Sequence, residues 1–303
     1  MQSIRGTTKL AGVIGKPLAH TLSPAIHNAA YAHLGLDWVY VPLEVPDEAG
    51  LRRVVAATGS LPFVGFNVTM PYKQSVMELV DEVSTAAAMA GAVNTVQISE
   101  DGRSVGYNTD GRGLIEALEV EADFTAADKD IVVLGAGGAA GAAVVALMLG
   151  RASRITVVNR NVEKAAELVE RLGRHGGSVL FEVEESSMAR DVVVGADLVL
   201  NATPLGMRTG DPSPVPAEWV RPGQVRFDMV YGTNRPTAFV SDGRNAGAVA
   251  LDGLGMLVAQ AAIAIDMWNE GSTAKAPRDV MKKAAEAALD ARMGDMEVND
   301  GSA

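Results

Sequence analysis

The chain of 303 residues contains no cysteine. Disulfides, thiolate metal sites and cysteine nucleophiles are therefore excluded. Histidine is almost as scarce. His20, His27, His33 and His175 are the only four, too few and too scattered for a histidine-rich metal centre, so the expected chemistry uses no metal. Basic residues are outnumbered, 26 Lys and Arg against 37 Asp and Glu, for a net charge of −11. A nucleic-acid groove or an anionic membrane surface needs a basic face, so neither is an expected partner. A long uninterrupted apolar run is also missing. The longest, Leu134–Gly150, carries Gly135, Gly137, Gly138 and Gly141 near its start and reads as a turn followed by a buried helix, not as a membrane span. The opening MQSIRGTTKLAG lacks the apolar core of a secretion signal, which makes the cytoplasm the expected compartment.

What is present suits a soluble α/β protein. Apolar residues make up 48% and charged residues 21%, enough at this length for two domains with cores of their own. Short β-branched runs alternate with helical patterns, which favours parallel sheets covered by helices. Strands are expected at Leu10–Ile14, Val39–Leu43, Phe63–Asn67, Thr95–Ile98 and Ser104–Tyr107, then at Ile131–Leu134, Ile155–Asn159, Leu198–Asn201 and Val225–Asp228. Helices are expected at Ala25–Leu34, Asp47–Ala57, Asp81–Ala90, Asp110–Glu121, Gly138–Leu149, Asn161–Leu172, Met256–Asn269 and Pro277–Arg292. Ser23 reads as the N-cap of the first helix, with Pro24 at its first position. Residues 294–303 are polar and acidic and read as a disordered tail.

Within the second half, IVVLGAGGAAG (Ile131–Gly141) is a glycine-rich turn between a strand and a helix, the context of a dinucleotide-binding fingerprint. Gly135 allows the tight turn and Gly137 a close backbone approach to a pyrophosphate. Gly138 and Ala139 lie at a helix N-terminus, whose free N–H groups favour an anion. The same residues could instead serve close packing. The next strand runs into NRN. Asn159 and Arg160, with Lys164 a helical turn on, stand where an NAD site would carry an acidic residue for the ribose hydroxyl. A guanidinium matches a 2′-phosphate through paired donors, so NADP is favoured, with NAD the alternative. In the first half, Lys73 closes NVTMPYK and Asp110 lies within YNTDG. A lysine and a carboxylate that meet in a cleft can move a proton to or from a substrate oxygen. Beside a dinucleotide site, that suggests hydride transfer. Taken singly, Lys73 could be a surface lysine and Asp110 only a helix cap.

These segments, with GKPLAHTLSPAIHN (Gly15–Asn28), GAVNT (Gly91–Thr95), NATPLGM (Asn201–Met207), DMVYGTNRP (Asp228–Pro236) and GLGMLVAQAA (Gly253–Ala262), occur in an order that resembles the shikimate dehydrogenase family over almost the whole chain. The resemblance implies an N-terminal α/β substrate and catalytic domain, residues 1–112 joined by C-terminal helices at 254–293, and a Rossmann-like NADP-binding domain at 113–253. It implies NADPH-dependent reduction of 3-dehydroshikimate to shikimate by a monomer or homodimer. Lys73 and Asp110 become the catalytic pair. Thr21 and Ser23 are implied to hold the substrate carboxylate with Tyr231 nearby, and Asn67, Thr69, Asn94, Asp110 and Gln260 its hydroxyls. Thr203, Met229, Gly253 and Met256 join the cofactor residues, the last two beside the nicotinamide. A small polyhydroxylated acid calls for such neutral donors and acceptors.

Two positions depart from the family pattern. Thr21 replaces a usual serine, and NRNVEK replaces a phosphate clamp of the form NRTxxR. The nearest alternatives are a quinate/shikimate dehydrogenase using NAD and a non-catalytic sensor of the same fold. A glutamyl-tRNA reductase is excluded, because its thioester chemistry needs a cysteine.

Overall fold

The computed structural model describes residues 4–232 and 236–300. Thr233, Asn234 and Arg235 of the DMVYGTNRP segment and residues 301–303 of the expected tail lie outside the described residues. The chain divides into two compact units, Met1–Thr109 with Val258–Ala303, and Asp110–Leu257.

The first unit begins with β1 (Lys9–Gly15), α1 (Ser23–Leu34), β2 (Trp38–Glu44), α2 (Glu48–Thr58) and β3 (Phe63–Val68). It continues with β4 (Glu82–Val83), α3 (Thr85–Ala90), β5 (Thr95–Ile98) and β6 (Ser104–Tyr107). The strands form a six-stranded sheet in the order β2-β1-β3-β5-β6-β4. β1 pairs in parallel with β2 and β3, whereas β5 runs antiparallel to β3 and β6. One face buries Ile14, Leu51, Val55, Phe66, Val76 and Val96 in a single apolar cluster. Local chemistry sets the helix ends. The Asp47 carboxylate accepts from Gly50 N at 2.7 Å to cap α2. Gly35 and Gly91 end α1 and α3 at φ 65° and 68°, a region open to glycine at little cost.

The second unit contains α4 (Asp110–Ala122), β7 (Asp130–Leu134), α5 (Gly138–Leu149), β8 (Arg154–Asn159) and α6 (Val162–Gly173). There follow β9 (Leu180–Glu185), α7 (Arg190–Gly195), β10 (Leu198–Asn201), β11 (Val225–Asp228), α8 (Ala238–Asn245) and β12 (Val249–Leu251). Its six strands are all parallel, in the order β12-β11-β10-β7-β8-β9. Counted from β7, the order is the doubly wound arrangement of a Rossmann sheet, which reverses between β7 and β10. α9 (Leu254–Trp268) and α10 (Arg278–Asp300) close the chain. Among the described residues, no helix is long and apolar enough to cross a membrane.

Several expectations need correction. Ser23 is the first residue of α1 and caps nothing; Leu22 holds the cap position in helical geometry, without a side-chain hydrogen bond. The helix expected over Asp81–Ala90 begins only at Thr85. Ser84 caps it by accepting from Ala87 N, and the two residues of β4 precede it. β9, α7, α8 and β12 were not anticipated. β9 reads LFEVEE and is nowhere fully buried, as suits an edge strand that need not alternate. α10 runs on to Asp300 through residues expected to be a disordered tail, because nothing from Gly294 to Asp300 is a proline and one glycine does not stop a helix. The units change over at Thr109/Asp110 and within α9, against 112/113 and 253/254 in the sequence reading.

Candidate active site

In the first unit, the candidate residues gather at one edge of the sheet, at and just past the carboxyl ends of β1 and β3. Asn67 lies in register with Val13 on one side and Thr95 on the other, and Thr95 with Tyr107. The loops leaving β1 and β3 are stitched together: Thr69 N donates to Ile14 O at 2.9 Å and Lys16 N to Met70 O at 3.0 Å. Gly15 admits this close passage, since a side chain there would run into the methyl of Thr69. The half-buried Lys73 follows in the turn, its carbonyl accepting from Val93 N at 2.8 Å.

A chain of buried, uncharged side chains occupies that edge. The Asn67 carboxamide donates to Thr95 Oγ1 at 2.9 Å and to Asn94 O at 3.3 Å, and its oxygen accepts from Tyr40 Oη at 2.8 Å. Asn94 Oδ1 accepts from Thr109 N at 2.7 Å, while Asn94 Nδ2 donates to Thr109 Oγ1 at 3.0 Å and to Gln260 Oε1 at 3.4 Å. Asn67, Asn94 and Gln260 are thus joined in one chain through Thr95 and Thr109, which were not singled out although they stand in GAVNT and YNTDG. Tyr40 was missed as well. The alternating burial of β2 turns its ring inward. At the start of α1, Thr21 Oγ1 donates to Ser23 Oγ at 3.2 Å. Two hydroxyls thus lie together beside a helix N-terminus.

His27 is fully buried behind this edge. Its ring stacks on Tyr40 at 3.9 Å, and Nδ1 donates to Ser23 O at 2.8 Å. Burial pushes its pKa down to about 4, against the smaller opposing effect of that hydrogen bond. His27 is therefore a neutral structural ring and is not a proton carrier at neutral pH.

In the second unit, the glycine turn lies where the strand order reverses. Gly135 has φ 109°, and a Cβ on it would stand 3.0 Å from Ala202 O and 3.3 Å from Thr203 Cγ2. The turn after β7 and the loop after β10 therefore touch, in the crevice where doubly wound sheets hold ligands. A Cβ on Gly137 or Gly138 would meet nothing within 4 Å, so packing does not require glycine there. With Ala139 they form the exposed start of α5, which has no side-chain cap. These features fit a pyrophosphate approaching the backbone. Past β8, Asn161 caps α6 by accepting from Lys164 N at 2.9 Å, and Asn159 donates to Asn161 O at 2.8 Å. Arg160 and Lys164 are exposed and form no ion pair among the described residues.

Met229 and Gly253 are in close contact: a Cβ on Gly253 would stand 2.5 Å from Met229 O, and Gly253 N donates to Val230 O at 3.1 Å. Met256 is buried in the first turn of α9, and Tyr231 is exposed. Asp110 is the buried first residue of α4. Gly111 beside it lets that helix press on α5, where a Cβ would meet Ala142 O and Ala146 Cβ at 2.9 Å. Asp110 and Tyr231 thus belong to the second unit and Lys73 to the first. Among the described residues, no cluster of three or more His, Asp or Glu side chains could hold a metal.

Comparison with known proteins gives a consistent result. Residues 13–96 match the family described as Shikimate dehydrogenase substrate binding domain, and residues 118–204 match Shikimate / quinate 5-dehydrogenase. The Shikimate dehydrogenase (NADP(+)) of Rubrobacter xylanophilus is 46% identical over 88% of this chain and 92% of its own length. The structure of Shikimate 5-dehydrogenase from Listeria monocytogenes, in complex with shikimate and NAD, is similar at a TM-score of 0.86 and 33% identity, covering 93% of this chain and 98% of that one. The corresponding enzyme of Thermus thermophilus, in complex with NADP(H) and shikimate, gives 0.80 and 34% over 92% and 99%.

Proposed function

We propose that this chain, which belongs to the shikimate dehydrogenase family, catalyses the reversible NADP-linked oxidation of shikimate to 3-dehydroshikimate. The observation that carries the reading is the buried chain of neutral hydrogen-bonding groups from Asn67 through Thr95, Asn94 and Thr109 to Gln260. A cyclic acid with several hydroxyls is matched by groups that both donate and accept. The substrate carboxylate is assigned to Thr21 and Ser23, and the hydroxyls to Asn67, Thr69, Asn94 and Gln260.

Bound NADP(H) supplies the hydride chemistry. The open start of α5 suits its pyrophosphate, and Arg160 with Lys164 supplies positive charge for a 2′-phosphate. Thr203, Met229, Gly253 and Met256 are assigned to the nicotinamide end. In the direction of reduction, the ketone oxygen gains negative charge as the carbonyl carbon is reduced. Lys73 is assigned the donation of a proton to that oxygen, with Asp110 as the carboxylate of the proton-transfer pair.

Initial rates with shikimate and quinate, each with NADP and NAD, test the reading. The largest kcat/KM is expected for shikimate with NADP. An NAD-linked preference for quinate would move the chain to the other activity named in its second family match, and no oxidation of shikimate with either cofactor would overturn the reading.

A further inference from the structure

Tyr40 lies outside every motif that identified the family, yet it is the terminal donor of the buried polar chain. Its hydroxyl donates to Asn67 Oδ1 at 2.8 Å. The orientation of that carboxamide is decided on its far side, where Nδ2 faces the carbonyl of Asn94 at 3.3 Å and Thr95 Oγ1 at 2.9 Å. A flipped amide would set two carbonyl oxygens against each other. Both Nδ2 hydrogens are therefore committed inside the protein. Of the two acceptor sites on Oδ1, Tyr40 takes one and leaves one. Asn67 can thus meet a ligand hydroxyl only as an acceptor, at an oxygen whose position Tyr40 holds.

Tyr40 is itself held. Its ring stacks on His27 at 3.9 Å and 17°, with Trp268 tilted beside it at 6.4 Å. His27 Nδ1 donates to the carbonyl of Ser23 at 2.8 Å. One rigid aromatic stack therefore braces both Ser23 and Asn67, residues assigned to opposite ends of the same small ligand.

We propose that Tyr40 is a positioning residue for the substrate, acting through the Asn67 carboxamide and touching neither cofactor nor reacting atoms; this rests on the assignment of the site to shikimate. The test is a double-mutant cycle of Tyr40→Phe and Asn67→Ala read by steady-state kinetics, with Asn67→Ser in place of the alanine variant if that does not fold. Tyr40→Phe keeps the ring and its stack. It is expected to raise KM for shikimate roughly 3- to 10-fold, the worth of one hydrogen bond, with kcat and the KM for NADP changed far less. In the Asn67→Ala background the same substitution is expected to add nothing, because coupled residues are not additive. Additive losses, or an unchanged KM in Tyr40→Phe, with the parent protein active, overturn the role of Tyr40 alone. A parent that oxidises no shikimate overturns both the assignment and the role.

Discussion

Asn201 Nδ2 donates to Asp228 Oδ1 over 2.9 Å, with both side chains fully buried. The bond ties the end of β10 to the end of β11, and with them the loop that carries Thr203 and the segment that carries Met229. Asp228 also accepts from Thr237 Oγ1 at 2.6 Å and from Val230 N at 3.0 Å. Burial pushes its carboxyl pKa up, and these donors pull it back. Asp228→Ala is expected to lower stability by about 3 kcal/mol or more, since it removes several hydrogen bonds to a charged group and leaves the Asn201 amide nitrogen with Leu205 O alone, at 3.0 Å. Urea denaturation checks this, with Asp228→Asn expected to cost less. A midpoint equal to the parent's would show that the tie is energetically idle.

His27 gives stability a defined pH dependence. Its pKa is about 4 in the fold and 6.5 in the unfolded chain. Between those values the unfolded state binds a proton that the native state refuses, so stability falls as pH falls, by about 1.4 kcal/mol per pH unit from this group alone. The stabilisation is complete above pH 6.5. Urea midpoints measured from pH 7 to pH 4 are expected to drop less steeply in His27→Phe, which keeps a ring on Tyr40 but cannot titrate. Parallel curves for the two proteins would contradict the neutral, buried assignment.

Arg226 is fully buried on β11, its guanidinium 3.9 Å above the Phe239 ring, and none of its guanidinium nitrogens has a hydrogen-bond partner among the described residues. Burial pulls its pKa down to about 10 despite Asp242 and Asp228. The cation–π contact offsets about 2 kcal/mol, less than the several kcal/mol of desolvation for a buried ion. Arg226→Met is therefore expected to raise the urea midpoint, by about 1–3 kcal/mol in stability. A lower midpoint would mean that the guanidinium is paired in solution, with Asp242 the candidate.

Arg160→Ala should weaken NADP far more than NAD. The 2′-phosphate is the only difference between the cofactors, and a lost charged hydrogen bond is worth about 1.5–3 kcal/mol. Dissociation constants by fluorescence titration decide it, and equal losses for both cofactors would make Arg160 structural.

Lys73→Ala should lower turnover roughly 10²- to 10⁴-fold, the range of a general acid–base group, with substrate KM little changed. Near-normal kcat would remove Lys73 from the chemistry.

Most of the architecture was legible because its causes are local. β-branched runs marked the strands from β1 to β3 and the central strands of the second sheet, and the glycine turn announced the step from β7 into α5. Legibility failed where the exact path of a turn or a distant contact decides. Ser23 has the composition of a cap, but the turn before α1, closed by Thr21 N on Leu18 O at 3.0 Å, puts Leu22 in the cap position. Asp81 suggests a helix start, yet its carboxylate accepts from Ser104 N at 2.7 Å, which draws the segment toward β6. The same reason hid Tyr40. Its partner Asn67 is 27 positions away, and nothing in the alternation of β2 says what a buried hydroxyl will meet. Asn67, Asn94 and Gln260 were singled out only through motifs that resemble a family's.

The open space above Gly137 and Gly138 separates two kinds of selection. A library screened for folding alone would meet no packing clash with alanine at either position, since a Cβ there touches nothing within 4 Å. The same screen would reject side chains at Gly135, where φ is 109° and the Ala202 carbonyl stands in the way. If the proposed pyrophosphate contacts are right, laboratory evolution toward heat resistance would be free to drift away from nucleotide use at two of the three glycines without any warning from solubility or yield. Only a screen that makes survival depend on turnover would notice.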